Sequence, residues 1–382
     1  IADNIEINLN DFDKIKKESE KKNIKLLVVG PEKPLVDGIS DFFYKTNIKI
    51  FGPSKIAAKL EGSKTFTKKL CKEYNIPTSK FEIFTNKSDA HKYLKNVNLP
   101  IVIKADGLAA GKGVYICRTI DECNIAINEI FDGRFGKAEL VLIEEFLSGE
   151  EMSYFVISDG KTFKSFQTAQ DHKRVGEGDT GPNTGGMGAY SPSRLNNEEL
   201  EKKIEEKIIK PTMKGISELG SKYVGFLYVG LMIIKNEPYL IEFNVRMGDP
   251  ECQTIMPLLK TDFGEIINSC CEENLASINI EWKNQKSLCV VICSKGYPNA
   301  YKKNLKIENL KNIKTTEKQF IFHAGTQFRN DEFFSSGGRV LNVVSISNSF
   351  KECKNKTYET IENLNWGDGF YRKDIGYKVI DE

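Results

Sequence analysis

The segment PIVIKADGLAAGKG, residues 100–113, runs from a proline through Ile101-Val102-Ile103 to Lys104 and ends in a loop of small residues carrying Lys112. Three consecutive β-branched apolar residues predict a buried strand that delivers Lys104 at its end, and the Ala and Gly beyond it predict a flexible lid. Two cations so placed suit a polyphosphate between them. Taken alone, the same loop also suits an ordinary mobile turn.

The standard phosphate motifs are excluded. A Walker loop needs Ser or Thr after its Gly-Lys, whereas Lys112 is followed by Gly113. No G-x-G-x-x-G opens a helix here, so a dinucleotide fingerprint is absent as well.

The 382 residues suffice for two or three domains, and 40% hydrophobic with 28% charged residues is the composition of a soluble globular protein. Lys+Arg 55 against Asp+Glu 53 leaves a formal charge of +2, which provides no general attraction to nucleic acid or anionic membrane. There is no apolar run of about 18 residues to span a bilayer. The opening IADNIEINLNDFD is polar and acidic, unlike a signal peptide. Nine cysteines occur without a C-x-x-C, and only three histidines accompany them, which argues against zinc and for reduced thiols in a cytoplasmic protein.

Upstream of residue 100, DFDKIKKESEKKN (11–23) is a charged amphipathic helix leading to the apolar strand 24–29 and the loop Gly30-Pro31-Glu32. A further helical segment, strand 48–51 and Gly52-Pro53-Ser54 follow. This alternation is that of an open parallel sheet, whose ligands gather beyond the carboxyl ends of strands; the two Gly-Pro loops are rims of such a site or ordinary turns. Residues 62–74 read as a helix, 80–84 as a strand, and 89–96 as a helix with Ser88 as its cap. The sequence starts within the pattern, with a strand at 5–9 and no initiator Met, so an upstream βα unit is expected to be missing.

Downstream, Thr119 starts a helix whose first turn carries Asp121 and Glu122, as the helix dipole favours. LVLIEEFLSGEE (140–151) is a strand, a polar bend and the start of another strand at 152–157. It reads as a crossover between two sheets where a planar heterocycle can lie, or as a plain strand connection. The stretch QTAQDHKRVGEGDTGPNTGGMGAYSP (167–192) has no hydrophobic period and reads as a long loop, for substrate or as a disordered linker. His172 within it is a general base or a structural histidine. Residues 197–220 form a charged helix interrupted or kinked at Pro211. Strands 225–234 and 239–243 are joined by a turn at 235–238. Alternation along the second strand puts Glu242, Asn244 and Arg246 on one face, two oxygen donors of the kind magnesium takes and a cation.

The order of lysine loop, acidic crossover, polar loop and Glu-x-Asn strand resembles the ATP-grasp ligases, and more narrowly the phosphoribosylamine–glycine ligase family. The resemblance rests on LVVGPEKPLVDG (27–38), IFGPSKIAAKLEGSK (50–64), VIKADGLAAGKGV (102–114), IEEFLSGEE (143–151), QDHKRVGEGDTGPNTGGMGAYSP (170–192), GFLYVGLM (225–232) and IEFNVRMGDPE (241–251). HAGT (323–326) and GGRVL (337–341) carry it almost to the end.

It implies an α/β protein with an ATP-grasp fold: a truncated open parallel-sheet substrate domain at 1–61, an ATP-grasp domain at 62–260 with much of its smaller clamping lobe at 115–157, and a smaller C-terminal α+β domain at 261–382. It implies ATP-dependent joining of glycine to 5-phosphoribosylamine through glycyl phosphate, with ATP and magnesium, or manganese in its place. Lys104 would touch the ATP phosphates, and Gly111, Lys112 and Gly113 would close over them. Glu144 with the backbone of Phe146 and Leu147 would hold adenine, and Glu151 the ribose. Glu242 and Asn244 would ligate the metal, and Arg246 would neutralise the transferring phosphoryl group.

Pro31, Glu32, Asp171, Lys173, Pro182, Asn183, Thr184, Gly185 and Arg246 would meet glycine and phosphoribosylamine. With no coiled coil in the sequence and helices with charged faces, a monomer is expected, with neither nucleic acid nor membrane as partner. Two departures stand out. Leu231 and Met232 supply no second metal carboxylate, and nothing before Pro31-Glu32 matches the family's glycine-rich GGREHA loop. Another ATP-grasp ligase would have no reason to carry TGPNTGGMG, and a non-catalytic nucleotide-binding protein would not need Lys104, Lys112, Glu242 and Asn244 together.

Overall fold

The computed structural model describes residues 3–108, 113–136 and 140–380. Gly111 and Lys112 of the expected lid lie outside them. The chain divides into two compact units, the first formed by Ile1–Phe166, Asn197–Met247 and Asp262–Asn279, the second by Gln167–Asn196, Gly248–Thr261 and Ile280–Glu382.

The first unit opens with helix Phe12–Lys21, whose Asp11 side chain caps the Lys14 amide. Two short strands follow, Leu26–Val28 and Lys49–Phe51, paired in parallel with Leu27 opposite Ile50. Helices Glu32–Asp37 and Ile39–Phe43 connect them. This is the expected parallel βα arrangement. Gly52 lets the chain pass the packed helix, because a Cβ there would stand 2.6 Å from Leu35 Cδ2.

Residues 78–145 build a four-stranded antiparallel sheet in the order Phe81–Phe84, Val141–Glu145, Ile101–Ala105, Val114–Cys117. Helices Lys87–Tyr93 and Ile120–Phe131 cover one face, where Ile101, Ile103, Ala126, Ile127, Ile130, Val141 and Ile143 are buried together. A period of two therefore assigns Lys104 and Glu144 to the opposite face, on adjacent strands with Lys104 opposite Leu142 and Val102 opposite Glu144. Helix Ile120–Phe131 begins with a complete capping box between Thr119 and Glu122. The cap expected at Ser88 is instead Asn86, whose extended backbone and side-chain bond to the Asp89 amide start the helix two residues earlier.

After Glu145 the chain enters a second four-stranded antiparallel sheet, ordered Glu237–Asn244, Val224–Ile234, Glu150–Asp159, Phe163–Ser165. The crossover expected at 140–151 is present. The hairpin joining Val224–Ile234 to Glu237–Asn244 is tighter than expected: Lys235 and Asn236 alone form the turn, with φ of 50° and 60°, the left-handed pair that matches strand twist. Helix Glu198–Ile204 continues through a π-helical turn, Glu205–Ile209, into helix Lys210–Glu218. Pro211 has no amide to give to the residue four before it, and the widened turn absorbs that loss without ending the helix.

The second unit is a six-stranded sheet in the order Gln319–His323, Arg339–Ser347, Lys286–Ser294, Gly188–Ser191, Gln170–Asp171, with Gly369–Phe370 also paired to Lys286–Ser294. Helix Phe350–Leu364 packs on it, and Leu288, Val290, Ile292, Val340 and Val344 are buried in its core. The stretch 167–192 is thus not one long loop. It supplies two strands of this sheet and a hairpin, Arg174–Gly176 with Thr180–Asn183. Its small and polar residues hid the period of two, because here backbone pairing carries the strands.

Candidate active site

Lys104, delivered by its strand as expected, is buried, and its Nζ lies 3.0 Å from Glu144 Oε2. The same oxygen receives two further donors that the sequence did not single out. Lys68 Nζ, from helix Lys64–Glu73, is at 3.0 Å, and Ser79 Oγ is at 2.7 Å. Lys68 completes its own shell with Thr78 Oγ1 at 2.6 Å and Ser79 Oγ at 2.8 Å. Burial works to raise the Glu144 carboxyl, but Lys104, Lys68 and the bond from Ser79 outweigh it and hold the group below the usual carboxylate range. Burial lowers the Lys68 ammonium, opposed by Glu144. The other Glu144 oxygen, Oε1, is buried without a hydrogen-bond partner among the described residues. A desolvated carboxylate oxygen with no donor is costly, and a ligand N–H would relieve it.

Lys64 is a third cation near this cluster. Its Nζ donates to Gly107 O at 2.9 Å. Burial lowers its pKa, with Glu242 raising it and Lys104 lowering it in turn. Lys64 therefore feels both the Glu-x-Asn strand and the lysine strand. The base of the glycine loop is tied to the same helix: Asp106 accepts from Ser63 Oγ at 3.1 Å and from the Thr65 amide at 3.0 Å. Gly113 closes the described side of the loop by accepting from the Ala105 amide at 2.8 Å. Phe146 and Leu147 lie half-buried in the bend after Glu145, and Glu151 is exposed at the start of the next strand.

Glu242 and Asn244 share one face of their strand, both half-buried, and offer a carboxylate and an amide oxygen, the hard donors that magnesium or manganese takes. Arg246 lies two residues past the end of this strand. The strand ends at Asn244, and Arg246 turns to two carboxylates, Nε to Glu32 Oε2 at 2.8 Å and Nη2 to Glu61 Oε1 at 2.9 Å. Glu32 stands at the start of its helix, after Pro31. Glu61, not singled out in the sequence, also accepts from the Val245 amide at 2.8 Å. Burial pushes its carboxyl up to about 7 against the pull of Arg246.

The remaining expected residues lie in the second unit. Asp171 pairs with Ala189 in the sheet, and Lys173 is brought to Thr184, whose amide and hydroxyl both donate to Lys173 O, at 2.7 and 2.8 Å. Pro182 and Asn183 end the exposed strand before it. Gly185 is held on both sides: its amide donates to Tyr297 Oη at 3.0 Å and its carbonyl accepts from Arg339 Nη1 at 2.6 Å. Arg339 also pairs with Asp249 at 2.7 Å. His172 is buried with Nε2 accepting from the Gly376 amide at 3.2 Å, and burial together with nearby Arg372 brings its pKa down to about 4. A neutral imidazole locked to backbone is a structural histidine.

Family models for the phosphoribosylglycinamide synthetase N domain, ATP-grasp (A) domain and C domain match residues 1–61, 62–252 and 287–378. A phosphoribosylamine–glycine ligase of Brucella melitensis is 44% identical over 382 residues, covering 100% of this chain and 90% of that protein. The chloroplastic phosphoribosylamine–glycine ligase of Arabidopsis thaliana is 46% identical over 94% of this chain and 69% of its own length. The crystal structure of phosphoribosylamine–glycine ligase from Thermotoga maritima superposes with a TM-score of 0.82 at 34% identity, covering 94% of this chain and 88% of that one. A biotin carboxylase from Campylobacter jejuni, at 15% identity and a TM-score of 0.70, shares the fold. Matched in all three of its domains and along the whole chain, this protein belongs to the phosphoribosylglycinamide synthetase family of ATP-grasp ligases.

Proposed function

We infer that this chain joins glycine to 5-phosphoribosylamine at the expense of ATP, yielding glycinamide ribonucleotide, ADP and phosphate. The observation that carries the ATP half of the reading is the Lys104–Glu144–Lys68 cluster, with its unpartnered buried oxygen and Lys64 nearby. Glu144 Oε1 suits the exocyclic amino group of adenine, with the Phe146 and Leu147 backbone completing the base site and Glu151 the ribose site. Lys104 and Lys64 suit the phosphates, joined by Gly111, Lys112 and Gly113 from the lid.

A carboxylate is a poor electrophile, so the glycine carboxylate first attacks the γ-phosphorus, ADP leaves, and the amine of phosphoribosylamine then attacks the glycyl carbonyl, releasing phosphate. The protein's part in such a transfer is alignment and charge neutralisation. Arg246 faces the transferring group, while Pro31, Glu32, Asp171, Lys173 and residues 182–185 hold the two substrates. Glu242 and Asn244 would hold magnesium, or manganese, which when bound neutralises phosphate charge. The functional division at 1–61, 62–260 and 261–382, a monomeric state and a cytoplasmic location belong to the same reading; among the described residues no helix is long and apolar enough to cross a membrane.

The test is glycine- and phosphoribosylamine-dependent ADP release, with the amine generated in situ and the product identified by mass. Magnesium-dependent glycinamide ribonucleotide, abolished by EDTA and by Glu242→Ala, is expected. ATP turnover coupled to another carboxylate or amine instead would overturn the substrate assignment.

A further inference from the structure

Arg246 is the cation on which the phosphoryl and acyl transfers of the proposed reaction depend, and it stands outside the strand that carries Glu242 and Asn244. Something other than strand geometry must hold it. Its guanidinium is held by Nε on Glu32, Nη2 on Glu61 and Nη1 on the Met247 carbonyl at 3.1 Å, among other contacts. The two acids differ. The Glu32 side chain is 30% exposed, whereas that of Glu61 is 7% exposed. Glu61 also divides its oxygens, Oε1 taking the guanidinium and Oε2 the Val245 amide. It sits on helix Lys59–Gly62, where Ala58 and Leu60 are buried and Gly62 abuts Val36, so the carboxylate is mounted on packed backbone.

We propose that Glu61 is a positioning residue for the ligation reaction, locking the Arg246 side chain to the Val245 backbone so that the cation is held at a set place beyond Asn244. The inference rests on the ligase reading. An arginine carries about 2 kcal/mol of rotamer entropy, and a cation oriented in advance need not reorganise as charge develops. Glu61 acts through Arg246 and not on substrate. Removing it lowers the rate of transfer while leaving ATP binding, which belongs to the lysine cluster, in place.

The experiment compares the parent protein with Glu61→Gln, Glu61→Asp, Arg246→Ala and the Glu61→Gln/Arg246→Ala double variant. Glu61→Gln is expected to lower kcat at least about tenfold with the KM for ATP within about twofold, and Glu61→Asp to recover part of the loss. The double variant is expected to be no slower than Arg246→Ala alone, because the two residues act as one unit. Multiplying losses in the double variant, or a Glu61→Gln defect confined to KM and thermal stability, would overturn the proposal.

A second measurement is independent of turnover. Hydrogen exchange at the Arg246 Nη2–H, the group that donates to Glu61 Oε1, followed by NMR in ¹⁵N-arginine-labelled protein and assigned with Arg246→Lys, should be slow in the parent and faster in Glu61→Gln. If the parent makes no glycinamide ribonucleotide, the ligase reading fails by itself, and unchanged exchange at this N–H then rejects the role of Glu61 separately.

Discussion

Lys68 Nζ and Lys104 Nζ each lie 3.0 Å from one and the same oxygen, Oε2 of Glu144, leaving Oε1 buried and, among the described residues, unpartnered. Two cations on one oxygen orient the carboxylate so that its other oxygen faces away from them. Lys68, on a helix, therefore aims a group on the neighbouring sheet. Lys68→Met removes one cation from a fully desolvated cluster and is expected to destabilise the fold by about 3 kcal/mol, measured by urea unfolding. It is also expected to weaken ATP binding by calorimetry, because Glu144 is freed to turn. Unchanged ATP affinity would remove Lys68 from the site.

Lys64 should matter to the nucleotide and not to the fold. Among the described residues its Nζ donates to a single carbonyl, Gly107 O, and burial already lowers its pKa. Lys64→Ala relieves that desolvation, so stability should change little, while the KM for ATP rises about tenfold through loss of one charge-assisted contact. An unaltered KM would assign Lys64 to the loop base alone.

His172 sets an acid limit on the second unit. Its pKa falls from 6.5 to about 4, by burial first and the Arg372 charge second, with Asp179 and Asp374 opposing. The folded state thus binds fewer protons than the unfolded chain between these values. Its contribution is fully present above pH 6.5 and is lost as pH falls towards 4, amounting to about 3 kcal/mol. Unfolding free energies at pH 7 and pH 4.5 should therefore differ less in His172→Gln than in the parent. An equal pH dependence in the two proteins would show that other groups carry the acid loss.

Two adjacent glycines should respond differently to one methyl group. A Cβ at Gly185 would meet Arg339 Cζ at 2.9 Å, the end of a flexible side chain. At Gly186, φ is 110° and a Cβ would stand 2.4 Å from Pro250 Cδ, part of a rigid ring. Gly186→Ala is expected to cost about 2 kcal/mol or more, whereas Gly185→Ala costs less and loosens the Arg339 clamp, visible as faster amide exchange around 182–188. Equal thermal shifts in the two variants would contradict this packing.

What was legible depended on how local the signal was. Lys104 could be read because a β-branched run ended in a lysine before a glycine loop, and Thr119 because a capping box lies within four residues. The strands of 167–192 were illegible, since their register is set by partners such as Lys286–Ser294, about a hundred residues away, and not by their own apolar period. Arg246 was placed by extending strand alternation two residues past the true end at Asn244.

The order of motifs along the chain was enough to identify the family and to single out Lys104, Glu144, Glu242 and Asn244 as candidates, because each belongs to a short pattern of residue types with a fixed spacing. Lys64, Lys68 and Glu61 carry no such pattern; on paper they are three charges on charged helices. Only the packing of helix Lys64–Glu73 and helix Lys59–Gly62 against strands far along the chain shields them from water, and in that low-dielectric setting an ordinary charge becomes one that orients another.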